Sequence, residues 1–227
     1  MVTKEVSILN LNEYRAEKQA QSEKCSLQLH SMAIDYVNRS VNIREKVRAK
    51  HIFRNKLGLP ANQALLEQLD EIFLDWFLFD YKTIQRTTIF NLFIKEMAKD
   101  LKEYEMIQAA LCISAVMEPF VVTGQQRKDL FILKSMVGEI SNVRFSDNRK
   151  LSLHKGSALM LRKVHGLEYD FALGPTMIFA SKEECERIKH AYNNMKETQS
   201  DLTWRAFLKL QALEILPPLK QWSVIKE

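Results

Sequence analysis

The 227-residue chain has only three cysteines, six glycines and five prolines, and no apolar run approaches the roughly 20 residues that cross a membrane. Each scarcity closes a class of function. Cys25, Cys112 and Cys185 stand far apart, with no CxxC pair and no Cys/His cluster at metal-ligand spacing, so no zinc site is expected. An odd cysteine count behind Met1-Val2-Thr3-Lys4-Glu5, which lacks a basic start and a following apolar stretch, fits a reducing cytoplasm with free thiols. Gly124, Gly138, Gly156, Gly166 and Gly174 are isolated and read as turn residues. There is no GxxxxGKS or GxxxxGKT run, no GxGxxG and no GxSxG, which excludes the common nucleotide cradles and the serine-hydrolase elbow. His30, His51, His154, His165 and His190 are scattered without HxxxH or HxE spacing, so no metal, cofactor or acid–base site is expected from them.

What is present describes a folded protein. The chain is 46% hydrophobic and 27% charged, which excludes collagen-like and wholly disordered readings, and a body of this size buries roughly 70% of its unfolded surface. The formal charge of +5 is unevenly placed. Residues 39–56 carry seven basic against one acidic side chain, 57–118 five against ten, and 119–180 nine against five. Two positive segments therefore bracket a negative one, a pattern that suits one face for an anionic partner. The competing reading makes Arg39, Arg44, Lys46, Arg48, Lys50, Arg54 and Lys56 the solvated side of a helix.

The hydrophobic period divides the chain into four parts. Residues 1–26 are polar and read as loose, with Val6, Ile8, Leu9 and Leu11 available to dock as a strand. Residues 27–118 read as a helical domain. Leu29, Ala33, Tyr36, Val37 and Val41 open a long basic helix with a break expected near Asn42, running on to Gly58 and Pro60. Leu65, Leu69, Ile72, Phe73, Trp76, Phe77 and Phe79 form the apolar face of a second helix over Ala61 to Asp80. Thr87 or Thr88 caps a third, which turns near Glu103 or runs through to a stop at Pro119. Residues 119–180 change to short alternating runs at Phe120–Gly124, Leu130–Leu133, Val143–Phe145, Leu151–Leu153 and Ala158–Val164, which predict a small antiparallel barrel-like β module. In 181–227, Ser181-Lys182-Glu183-Glu184 opens a helix to about Lys196, and a last helix spans about Leu202 to Leu216 before Pro217-Pro218. The expected class is α+β: helical region, β module, helical tail.

The densest chemistry lies in Leu74-Asp75-Trp76-Phe77-Leu78-Phe79-Asp80-Tyr81. It reads as the aromatic centre of the helical region with Asp75 and Asp80 at its edge, or as a stacking platform or acidic pocket. Here, and in Leu153-His154-Lys155-Gly156-Ser157-Ala158-Leu159-Met160-Leu161-Arg162-Lys163, the chain resembles uncharacterised bacterial proteins. Those proteins carry a Trp-x-x-x-Asp helical motif before a small barrel and are often joined to a SEC-C metal motif. The resemblance covers about residues 65–180 and implies the helix-then-barrel order. The SEC-C cysteines are absent, so it implies no zinc and no reaction. Glu67, Glu71 and Asp75, four residues apart, could converge on a divalent cation but read as a solvated face.

For function, basic residues interleaved with Phe131, Phe145, Tyr169 and Phe171 are the ingredients with which small barrels hold single strands or structured RNA. The expected phosphate contacts are Arg44, Arg48, Arg144, Lys150, Arg162 and Lys163, in a non-enzymatic intracellular factor that binds RNA, single-stranded DNA or a nucleic-acid machine. The rival is a regulatory adaptor gripping a protein partner through its helical surface. Clustering of the basic residues on one surface favours the first, and a large exposed apolar patch the second.

Overall fold

The computed structural model describes residues 10–60, 67–146, 152–217 and 222–225. Within them the order is α1 (Leu11–Ser40), α2 (Ile43–Lys56), α3 (Glu67–Phe79), α4 (Ile89–Met97), α5 (Glu103–Ser114), β1 (Met117–Arg127), β2 (Leu130–Ser135), β3 (Ile140–Arg144), β4 (Ala158–Val164), β5 (Asp170–Phe179), α6 (Glu183–Thr198), α7 (Trp204–Gln211) and β6 (Trp222–Ile225). The class is α+β, and no described helix is long and apolar enough to cross a membrane.

The helix boundaries follow local chemistry. Asn42 breaks the basic segment by accepting a hydrogen bond from the Arg44 N–H at 2.8 Å, which starts α2 as a new helix. Gly58 ends it with φ of 64°. The Thr88 hydroxyl caps α4 through the Asn91 N–H, and the chain does turn before Glu103. Pro119 stops no helix. It lies in β1 opposite Met160 of β4, before β1 begins to pair with β2 at Phe120, so its missing N–H leaves no ladder bond unmade.

Residues 11–26 are the first half of α1 rather than a loose arm. Their polarity hides burial that hydrogen bonds satisfy. Gln19 accepts from the N–H groups of Leu167 and Glu168 at 2.7 and 3.1 Å and donates to the Tyr169 carbonyl at 3.0 Å. Ser22 donates to Gln108 of α5 at 2.8 Å. The reading of Val6–Leu9 as a strand lies outside the described residues.

The strands form one sheet in the order β3-β2-β1-β4-β5-β6 with antiparallel neighbours, and β3 also pairs with β5 in parallel at Val143↔Asp170 and Arg144↔Phe171. Residues 152 and 153 are not in a strand. Two glycines taken for turns lie inside strands instead: Gly124 in β1 and Gly174 in β5. Gly174 sits where the β4–β5 register shifts, with φ of 70°.

Period-2 alternation divides two cores. Phe120, Val122, Phe131, Leu133, Val143, Phe145, Leu159 and Leu161 fill one side of the sheet. Ala158, Met160 and Val164 of β4 face the other way and join the helices in the larger core. Trp76 belongs to that larger core, against Phe53, Phe73 and Tyr81 at ring separations of 5.5, 6.3 and 5.3 Å.

Candidate functional site

Of the six basic residues expected to meet phosphates, the five that are described do not share a surface. Arg162 is fully buried. Its place on β4 aims it at the helices, where Asp75 of α3 and Asp80, the residue that follows α3, supply two carboxylates. Nε and Nη2 donate to the two oxygens of Asp75 at 3.0 and 2.8 Å, and Nη2 also donates to Asp80 at 2.7 Å. Nη1 donates to the Ala115 carbonyl at 2.7 Å. Burial alone would make this guanidinium easier to deprotonate, but the two carboxylates outweigh it and hold the charge on. The next residue, Lys163, faces the opposite side of the strand and is covered there too. Its ammonium lies 2.7 Å from Glu139 and 3.0 Å from Asp170, and these partners raise its pKa against the opposing effect of burial. Both residues are therefore withdrawn from any phosphate.

Arg144 is half-buried and held by Asp129 at 2.8 Å, Glu23 at 3.2 Å and the Tyr169 hydroxyl at 3.2 Å. Arg44 and Arg48 remain exposed on α2, Arg48 beside Glu45 at 3.4 Å. Lys150 lies outside the described residues. The expected stacking rings fare similarly: Phe131, Phe145 and Phe171 are buried in the cores. Within the carboxylate stripe, Asp75 is not solvated: it is buried and spent on Arg162. Among the described residues no group of three or more His, Cys, Asp or Glu is placed to hold a metal ion. Burial pushes the Cys112 and Cys185 thiols up to about 11 and about 12, the reverse of what a nucleophilic thiol requires.

A different basic surface is assembled by the fold. The outward residues of β1 and β2, Val121, Thr123 and Lys134, together with the turn Ser135–Gly138, face α6 across an open groove of about 570 Å³. The α6 side is lined by Lys182, Glu186, Lys189, Asn193 and Lys196, with Tyr192 at its floor. Cys185, Ile188 and Tyr192 bury the adjacent face of α6 and fix the helix in place, the Cys185 thiol donating to the Phe120 carbonyl of β1 at 3.7 Å. Lys182, Lys189 and Lys196 recur every seven residues, so they stay in one row that drifts only about 20° per step and spans about 21 Å. Among the described residues none of the four groove lysines forms an ion pair. Among the described residues Glu186 is the one carboxylate lining the groove, against four lysines, a local excess of three positive charges.

No family model matches this sequence, and no curated protein matches it. The seven-residue lysine spacing was available in the sequence once 181–196 was read as a helix. What the sequence did not display was the strand pair facing it.

Proposed function

We propose that this protein is a non-enzymatic factor that binds RNA or single-stranded DNA, with the groove between β1–β2 and α6 as its phosphate-binding surface. The observation that carries the reading is the row of unpaired lysines on α6, facing Lys134 across an open channel. Aligned ammonium groups with no carboxylate partners are set to replace the counterions of a polyanion, the dominant source of affinity in nucleic-acid binding. The three described cysteines are free and buried, which supports a reducing, cytoplasmic setting.

The strand pairings support a closed five-stranded barrel beside this groove. They run β1–β2–β3–β5–β4 and return to β1, with β3–β5 the one parallel step. We read this ring as the connectivity of oligonucleotide-binding Greek-key barrels. Such likeness supplies a scaffold and not an activity, so the argument rests on the lysines. The two segments that carry the resemblance to Trp-x-x-x-Asp proteins meet directly, Asp80 against Arg162. The motif then serves as the latch between helical region and barrel, and it adds no chemistry.

The test is fluorescence anisotropy with labelled single strands of about 12 nucleotides, within the site size of such barrels, at about 50 mM salt. Binding should be lost in Lys182→Ala/Lys189→Ala/Lys196→Ala and retained in Arg44→Ala/Arg48→Ala. Loss in the second variant and not the first would move the interface to α2. The adaptor reading has one supporting observation, the exposed pair Ile43 and Val47 one turn apart on α2, with Ile84 also exposed. It takes precedence if no strand binds.

A further inference from the structure

Resting on that reading, we infer that the groove prefers RNA over single-stranded DNA, with the Glu186 carboxylate and the Asn193 amide reading the ribose 2′-hydroxyl. Both residues line the groove, both are exposed, and they stand seven positions apart, the same spacing as the lysines. At about 100° per residue they form a second row beside Lys182, Lys189 and Lys196, displaced by about 40–60° around α6. The two rows differ in depth. Cys185, Ile188 and Tyr192 bury the face of α6 on one side of the lysines, and Glu186 and Asn193 flank the lysines on the other, toward solvent. Among the described residues neither side chain is engaged by a hydrogen bond or an ion pair.

Phosphate contacts fix the register of a bound strand, and the group next outward from each phosphate is its sugar. A strand seated on the lysines therefore presents its sugars to the polar row. Along the axis Glu186 lies about 6 Å past Lys182 and about 4.5 Å before Lys189, and Asn193 holds the same place between Lys189 and Lys196. A carboxylate can only accept, and the 2′-hydroxyl is the sugar donor that deoxyribose lacks; an amide can accept from that hydroxyl or donate to it. On DNA the Glu186 carboxylate meets no sugar donor and only repels the neighbouring phosphates, which adds to the discrimination. Base edges are held less firmly. Tyr192 is the aromatic residue lining the groove, and its ring is enclosed by Trp204 at 5.1 Å and Phe207 at 5.4 Å, with its hydroxyl donating to the Leu202 carbonyl at 3.3 Å. A base has no free ring there to stack on, whereas each sugar is tethered by the phosphates on either side of it.

The experiment measures anisotropy at low salt with strands of about 12 nucleotides in matched pairs, uridine against deoxyuridine and adenosine against deoxyadenosine, plus 2′-fluoro-deoxyuridine, which keeps a ribose-like pucker without the donor. The expected result is that each RNA strand binds about three- to tenfold more tightly than its DNA counterpart, the effect of one or two net hydrogen bonds, and that the 2′-fluoro strand falls with DNA. In Glu186→Ala/Asn193→Ala the gap should close, with deoxyuridine tightening because the repelling charge is gone. A gap below about threefold in the parent, a gap that persists in the double variant, or a 2′-fluoro strand that binds like RNA would overturn the inference while leaving nucleic-acid binding intact. So would a preference for one base that the double variant abolishes equally in RNA and DNA, since it would assign the two side chains to base edges. Failure of every strand to bind would instead defeat the underlying reading, and this inference with it.

Discussion

Replacing Arg162 by Met examines the most heavily committed charge in the molecule. The guanidinium is fully buried and makes four hydrogen bonds, three of them to Asp75 and Asp80. Methionine has a similar reach and fills much of the space, so the cavity contribution is small and the electrostatic one dominates. Two buried carboxylates then lose their counter-charge, and removing one partner of a buried pair costs about 3–5 kcal/mol. That is a large part of the roughly 5–15 kcal/mol by which a domain is stable. In a chain of this size it corresponds to a fall in melting temperature of about 6–20 °C, at about 2–4 °C per kcal/mol. Urea unfolding at neutral pH, followed by circular dichroism, gives the free-energy difference directly. Asp75→Asn should cost more than Asp80→Asn, since Asp75 commits both oxygens to Arg162, whereas burial raises the pKa of Asp80 despite its pairing. Replacing all three residues with apolar ones should recover most of the loss, because a well-packed apolar cluster substitutes for a buried ion triad at little net cost. An Arg162→Met variant within about 1 kcal/mol of the parent would refute the latch.

Three further outcomes follow from the packing. Gly174→Ala should destabilise strongly and lower the melting temperature, because a Cβ there would lie 2.9 Å from the Asp75 carboxylate on a backbone with φ of 70°; a neutral substitution would contradict the close approach. Trp76→Ala should cost about 3–5 kcal/mol in the same assay, from lost transfer energy plus a cavity in the helical core, and parent-like melting would place the ring outside it. Alkaline pH should weaken the fold. The Cys112 and Cys185 thiols titrate near 8.5 when unfolded, but burial raises them to about 11 and about 12 in the folded chain. The folded state keeps two protons that the unfolded chain releases, so this contribution is complete below about pH 8.5 and falls as pH rises, by at most about 2.7 kcal/mol per unit. Lys163, also raised, acts in the same direction at higher pH. Urea midpoints measured from about pH 8 to 10.5 should fall, and less so in Cys112→Ala/Cys185→Ala; a profile unaffected by that change would refute the assignment.

The helical and β regions were legible because their hydrophobic periods differ, and Asn42 and Thr88 announced helix starts through their side chains. Residues 11–26 were misread because Gln19 and Ser22 are buried polar groups, and composition cannot distinguish a satisfied interior amide from a surface one. β5 was hidden by Gly174 and Pro175, which mark a register shift inside a strand as readily as a turn. The site residues failed for a related reason. Adjacent charges on a strand point to opposite faces, and a strand with one wet face would expose either Arg162 or Lys163. β4 has both faces covered, so both charges were drawn into buried pairs whose partners lie 87 and 24 residues away. The lysine row on α6 was written in the sequence at its seven-residue spacing. Its significance depends on Lys134, about 50 residues earlier, and on the β1–β2 surface that only tertiary structure places opposite.

The central claim, that the groove lysines neutralise phosphates, is tested most directly by the salt dependence of single-strand affinity in the parent and in Lys189→Ala. With four contacts at about −0.7 each, the log–log slope should be about −2.8, and removing Lys189 should reduce its magnitude by about 0.7 without altering the fold. A slope near zero, or one left unchanged by Lys189→Ala, would contradict the account.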